Sequence, residues 1–120
     1  MSNNNNDTQS DEIEKFKRQI NFTPPEEFIH FFKKINKTEM NINNECLIIW
    51  PLADMVRLNK EYQADEYVPE FFIFGSDGGS EAYAIEKTTG CIYQIPFIGM
   101  SKEDAILKFK DFSELLDNIK

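Results

Sequence analysis

FFIFGSDGGSEAYAIEKTTGCIYQIPFIG, residues Phe71 to Gly99, reads as three consecutive β-strands. Phe71, Phe72, Ile73 and Phe74 form an apolar run without polar alternation, the pattern of a strand covered on both faces. The run stops at Gly75. Asp77, Gly78 and Gly79 then supply residues that tolerate positive φ or hydrogen-bond to their own backbone, so the chain reverses tightly. A second strand runs from Glu81 to Glu86 with Tyr83 and Ile85 on alternate positions, and Lys87 to Gly90 offers the next turn. Cys91 to Phe97 resumes extended character, with Cys91, Tyr93, Ile95 and Phe97 on one face and Ile92 and Gln94 on the other. Pro96 has no N–H to give a ladder, so it marks an edge or an exit.

Glycine-rich turns can also present N–H groups to a phosphate, but a nucleotide fingerprint needs a helix directly after the glycines. Here a strand pattern follows, and the glycines read as a structural turn.

Outward from this centre the elements are helical before and after. Ile13, Phe16 and Ile20 share one face of a short helix with Ser10 as its cap. Thr23-Pro-Pro-Glu26 reads as a capping box with proline at the first helical position, ahead of a stripe of Phe28, Phe31, Phe32 and Ile35. Residues 36–44 read as a loop. Cys46 to Trp50 is apolar on both faces and reads as a buried strand. Pro51 opens a helix whose Leu52, Met55, Val56 and Tyr62 can face a core while Asp54, Arg57 and Glu61 face water. Residues 105–109 suit helix or strand, and Asp111 to Glu114 is a second capping box leading Leu115, Leu116 and Ile119 into a last helix. These elements predict an α+β fold, a mainly antiparallel β-sheet packed with helices.

With 120 residues, eleven Phe, four Tyr and one Trp, the chain suits one domain with an aromatic-rich core. Residues 1–9 form a polar, asparagine-rich tail expected to be disordered, and residues 10–120 form the domain. The start MSNNNNDTQSDE has no apolar leader and no stretch is long enough to span a bilayer, so a cytoplasmic protein without membrane contact is expected. Cys46 and Cys91 lie in separate apolar runs and read as buried free thiols, with a disulfide or metal pair as the alternatives.

Catalytic material is scarce. His30 is the single histidine and lies opposite the Phe stripe, which leaves almost nothing for histidine-based nucleophilic or metal chemistry. Asp65 with Glu66 and Asp77 with Glu81 are the carboxylate pairs, and solvated or turn-forming roles explain them more simply than acid–base work. No enzyme, metal or cofactor is expected.

Charge is more informative. The chain carries 13 basic and 21 acidic residues, a net charge of −8. Between Asp54 and Glu86 the acidic residues Asp54, Glu61, Asp65, Glu66, Glu70, Asp77, Glu81 and Glu86 oppose only Arg57 and Lys60, a balance of −6. Nucleic-acid binding needs Lys and Arg for phosphate contacts and is not expected. An acidic surface suits a basic protein partner, and it equally serves solubility.

FGSDGGSEAYAIE followed by IYQIPFIG also resembles the signature of the SUKH superfamily, the Smi/Knr-type domains. Gly75, Ser76, Asp77, Gly78, Gly79, Glu81, Ala82, Tyr83 and Ala84 match its G-S-D-G-G-G-E-A-Y-A element, with Ser80 in place of the third glycine. Pro25, Phe28, Phe31 and Phe32 resemble its first helix, Asn36 the asparagine of its N-G-G turn (here followed by Lys37 and Thr38), and Trp50-Pro51-Leu52 its following element. Asp111, Phe112, Glu114 and Leu116 resemble its S-F-x-E-F-L helix. The resemblance spans about residues 23 to 119. It implies a non-catalytic immunity protein that binds and neutralises a cognate polymorphic toxin domain, often a nuclease, and the acidic surface adds the expectation that this toxin is basic. Its alternative is a regulatory or scaffolding module like the fungal cell-wall-synthesis regulators. Under the first reading the partner contacts are Asp54, Glu61, Asp65, Glu66, Tyr67, Glu70, Asp77 and Glu81, with Tyr67 preferred to Tyr62 as the aromatic anchor. A monomer is expected when the protein is free.

Overall fold

Six strands add to one another in chain order, β1-β2-β3-β4-β5-β6, and every neighbouring pair is antiparallel. The computed structural model describes residues 4–34 and 39–119. Met1–Asn3, Ile35 of the expected Phe stripe, Asn36 with the expected turn after it (Lys37 and Thr38) and Lys120 lie outside the described residues.

The central reading holds. Strands β3 (Phe71–Ser76), β4 (Glu81–Glu86) and β5 (Ile92–Pro96) follow one another across the glycine turn and the Lys87–Gly90 turn. Phe72 and Phe74 enter the larger core cluster while Phe71 and Ile73 enter a second one on the opposite face, as a doubly covered strand requires. One boundary differs, because β3 continues through Gly75. Its Cα lies so close to β2 that a Cβ would stand 2.3 Å from the Ile48 carbonyl oxygen, so glycine here permits strand pairing rather than ending it. Pro96 is the last residue of an interior strand, an exit rather than an edge.

Helices α1 (Asn4–Gln19), α2 (Glu26–Lys34), α3 (Leu52–Glu61) and α5 (Phe112–Asp117) supply Ile13, Phe16, Phe28, Phe31, Leu52, Met55, Phe112 and Leu115 to the larger cluster. Aromatic rings dominate it, with Phe28 in edge contact with both Phe74 and Phe112. The second face is covered by the short helix α4 (Ala64–Tyr67) and by Met100, which leads into a 3-10 turn at Lys102–Asp104.

Several boundaries depart from the sequence reading. Helix α1 begins at Asn4 and passes through Ser10, the expected cap, since extending a formed helix adds a hydrogen bond per residue fixed. Helix α2 begins at Glu26 rather than behind a Thr23 cap, with the N–H groups of Phe28 and Ile29 donating to the Pro25 carbonyl. Thr23 and Pro24 each precede a proline, which disfavours helical backbone at both. Pro51 caps α3 from outside rather than occupying its first turn.

The expected loop at 36–44 contains β1 (Glu39–Ile42), which forms a hairpin with β2 (Glu45–Ile49). Asn43 and Asn44 carry φ values of 50° and 69°, the left-handed pair that a two-residue hairpin turn demands. In β2 only Leu47 and Ile49 are fully buried, while Cys46 and Ile48 are half-exposed. Residues 105–109 resolve as strand β6 (Ile106–Phe109). The Asp111 box forms: Asp111 Oδ1 accepts from the Glu114 N–H at 2.8 Å, and Glu114 Oε1 accepts from the Lys110 N–H at 2.8 Å.

Candidate protein-binding face

The acidic stretch divides into separate places. Around the end of α3 and α4, Arg57 lies between Asp54 (3.2 Å) and Glu61 (2.8 Å), and these hydrogen bonds hold its guanidinium more firmly charged than usual. Asp65 pairs with Lys87 at 3.6 Å, Glu70 with Lys102 at 3.7 Å, and Glu66 accepts from the Gln63 amide at 3.4 Å. Gln63, at φ 61°, turns the chain sharply out of α3, so that Glu61 through Tyr67 project around a tight corner. Tyr67 is half-exposed there.

Asp77 and Glu81 do not belong to this group. Lys87 N–H donates to the Glu70 carbonyl at one end of the β3–β4 pair, whereas Asp77 and Glu81 close the other end. A six-residue strand separates the two ends by roughly 20 Å. In the turn, Asp77 Oδ1 accepts from the N–H groups of Gly79 (2.8 Å) and Glu81 (3.2 Å), and Ser76 Oγ accepts from Gly78 (3.1 Å). Gly78 adopts φ +86°. Asp77 is thus consumed in shaping the turn, as its position in the motif suggested.

The remaining motif residue, Tyr83, is fully buried and its hydroxyl donates to Glu45 at 2.9 Å. Glu45 in turn pairs with Lys108 at 3.5 Å, so β2, β4 and β6 are tied together beneath the curled sheet. Burial, and then the adjacent Glu45, raises the Tyr83 pKa well above that of an ordinary tyrosine. Desolvation followed by Glu39 raises the Cys46 thiol, and desolvation raises Tyr93. Each shift favours the protonated form, the reverse of what an activated nucleophile needs. Cys46 and Cys91 are free thiols, half-buried rather than buried. His30 is exposed. Among the described residues there is no group of three or more His, Cys, Asp or Glu that could hold a metal ion, and no helix is long and apolar enough to cross a membrane.

Tyr62 is a correction of the sequence reading. It is 42 % exposed rather than core, and it stacks on Trp50 (5.9 Å, 13° between planes) and lies against Phe97 at 4.7 Å. Phe97 N–H donates to the Ser80 carbonyl, which sets this aromatic trio beside the start of β4. Sequence reading missed the trio because its members come from three separate segments. It also missed Asn59, a polar residue on the core side of α3, buried among apolar neighbours.

The model of the SMI1 / KNR4 family (SUKH-1) matches residues 8–118. No curated protein matches the chain.

Proposed function

The chain belongs to the SMI1 / KNR4 family (SUKH-1), and on that premise we propose that it is a non-catalytic immunity protein that binds and neutralises a basic toxin domain, a nuclease being one candidate, in the cytoplasm. The observation that carries this reading is the corner between α3 and α4. There Tyr62 and Tyr67 are exposed, and Glu61, Asp65, Glu66 and Glu70 each lie within three residues of one of them along the chain. Aromatic anchors within a ring of charge are the composition of a protein-binding hot spot, and acidic groups there would chiefly accelerate encounter with a basic surface. Lys87 and Lys102 already engage Asp65 and Glu70, so these two carboxylates exchange one cation for another on binding. Glu61 does the same with Arg57. Asp77 and Glu81 stand at the far end of the β3–β4 pair, where the turn bonds of Asp77 hold its carboxylate in place.

The test is a pull-down of the tagged protein from its own cells, washed at low and at high salt, with bound proteins identified by mass spectrometry. Recovery of one dominant partner bearing a toxin domain, released by salt, supports immunity through this face. Recovery of housekeeping proteins instead, unaffected by salt, overturns it in favour of a scaffolding role.

A further inference from the structure

The two edges of the sheet are unlike. At the β1 edge Ile42 forms a bridge with Ile119, which returns from α5 to occupy the outer side of that strand. The β6 edge pairs only with β5, and among the described residues no further strand pairs with its outer side. Ile106 and Leu107, on opposite faces of β6, are 59 % and 56 % exposed. An open edge with apolar side chains on both faces is a template for another strand. The usual guards are weak here. Lys108 is the extra residue of a bulge against β5, but its ammonium is turned toward Glu45 and does not stand over the edge.

The charges flanking this edge select its occupant. Glu103 and Asp104 precede β6 and Lys110 follows it, so the segment is acidic at one end and basic at the other. A copy laid alongside it in parallel meets like charge with like. Laid antiparallel about a two-fold axis that passes beside Leu107 perpendicular to the sheet, every side chain keeps its face and Leu107 of one copy meets Leu107 of the other. In the same register Asp104 of each copy comes toward Lys110 of the other.

We propose that β6 pairs antiparallel with β6 of a second copy of this chain, joining two six-stranded sheets into one continuous sheet. The free protein is then a dimer rather than the monomer expected from sequence.

Sedimentation equilibrium of the full chain, from about 5 to 500 µM, tests this, the dimer having twice the 14.0 kDa chain mass. The expected result is concentration-dependent dimerisation that Leu107→Lys abolishes with the circular-dichroism spectrum unchanged, since this side chain contributes little to the core. Lys110→Glu is expected to weaken the dimer roughly tenfold by setting like charges together, and adding Asp104→Lys to restore it. A protein monomeric throughout the range overturns the proposal, as does a dimer indifferent to Leu107→Lys. Failure of the paired charge exchange to restore association overturns the antiparallel register.

Discussion

The Asn59 amide meets the backbone of Ile73 as a neighbouring strand would. Ile73 N–H donates to Asn59 Oδ1 at 2.9 Å, and Asn59 Nδ2 donates to the Ile73 carbonyl at 2.8 Å. The β2 ladder reaches β3 only at Ile48–Ser76 and Ile49–Gly75, so Ile73 lies past its end. A side chain from α3 completes what the strand cannot. The second Nδ2 proton goes to the Met55 carbonyl at 2.8 Å, which fixes the amide against its own helix.

Asn59→Ala is therefore expected to orphan two buried main-chain groups. At about 1–3 kcal/mol each, the loss should be about 2 kcal/mol or more. Asn59→Asp keeps the acceptor but sets a carboxylate oxygen against the Ile73 carbonyl, and it should be at least as damaging at neutral pH. Urea denaturation, read as a shift in midpoint at unchanged slope, checks both.

The glycines of the motif should rank by physical cause. Gly75→Ala drives a Cβ into backbone, 2.3 Å from the Ile48 oxygen, and should prevent folding or separate β2 from β3. Gly78→Ala meets only side-chain atoms at 3.4 Å and beyond but adopts φ +86°, which should cost about 1–2 kcal/mol. Thermal denaturation of the two variants settles the order, and equal effects would contradict it.

Alkaline stability should depend on Tyr83. Its pKa is raised in the folded state by burial and then by Glu45. Below the ordinary tyrosine value of about 10, folded and unfolded chains are both protonated at this site and its contribution is intact. Above that value the unfolded chain loses the proton first, so it binds fewer protons and stability falls as pH rises toward the folded pKa. Melting temperatures between pH 8 and 12, taken alongside tyrosinate absorbance, should show the decline setting in above about pH 10 while this ring is still protonated in the folded protein. Tyr83→Phe should flatten the decline while lowering stability at neutral pH, where Glu45 loses its donor.

Reversing Asp65 and Glu66 to Lys should leave the fold intact, since Asp65 is 78 % exposed and its pair with Lys87 is worth at most about 1 kcal/mol. Association with a basic partner should slow and lose much of its salt dependence. Stopped-flow mixing at two ionic strengths is the measurement, and unchanged salt dependence would sink the acidic-face reading.

How much of this was legible in sequence follows from range. Phe71 to Phe97 declared three strands because apolar runs, alternation and turn residues act locally. Strand β1 did not declare itself, since Met40 and Ile42 give only one alternation and Asn43-Asn44 lacks the glycine of the strongest hairpin signal. Helix α4 is a single turn and carries no periodicity. The acidic stretch was legible as charge but not as a surface. Lys87 and Lys102 reach Asp65 and Glu70 from outside it, and the length of β3 and β4 carries Asp77 and Glu81 away. Trp50, Tyr62 and Phe97 meet only once the sheet has formed.

Because spatial order in the sheet is the same as order along the chain, the strands can accrete one upon the last through local closures, the longest being that from β2 to β3, which carries α3 and α4. The distant joins, Ile42 to Ile119 and Glu45 to Lys108, close a curl that is already largely assembled. Loosening either should then speed unfolding more than it slows folding, because such contacts form on the native side of the barrier.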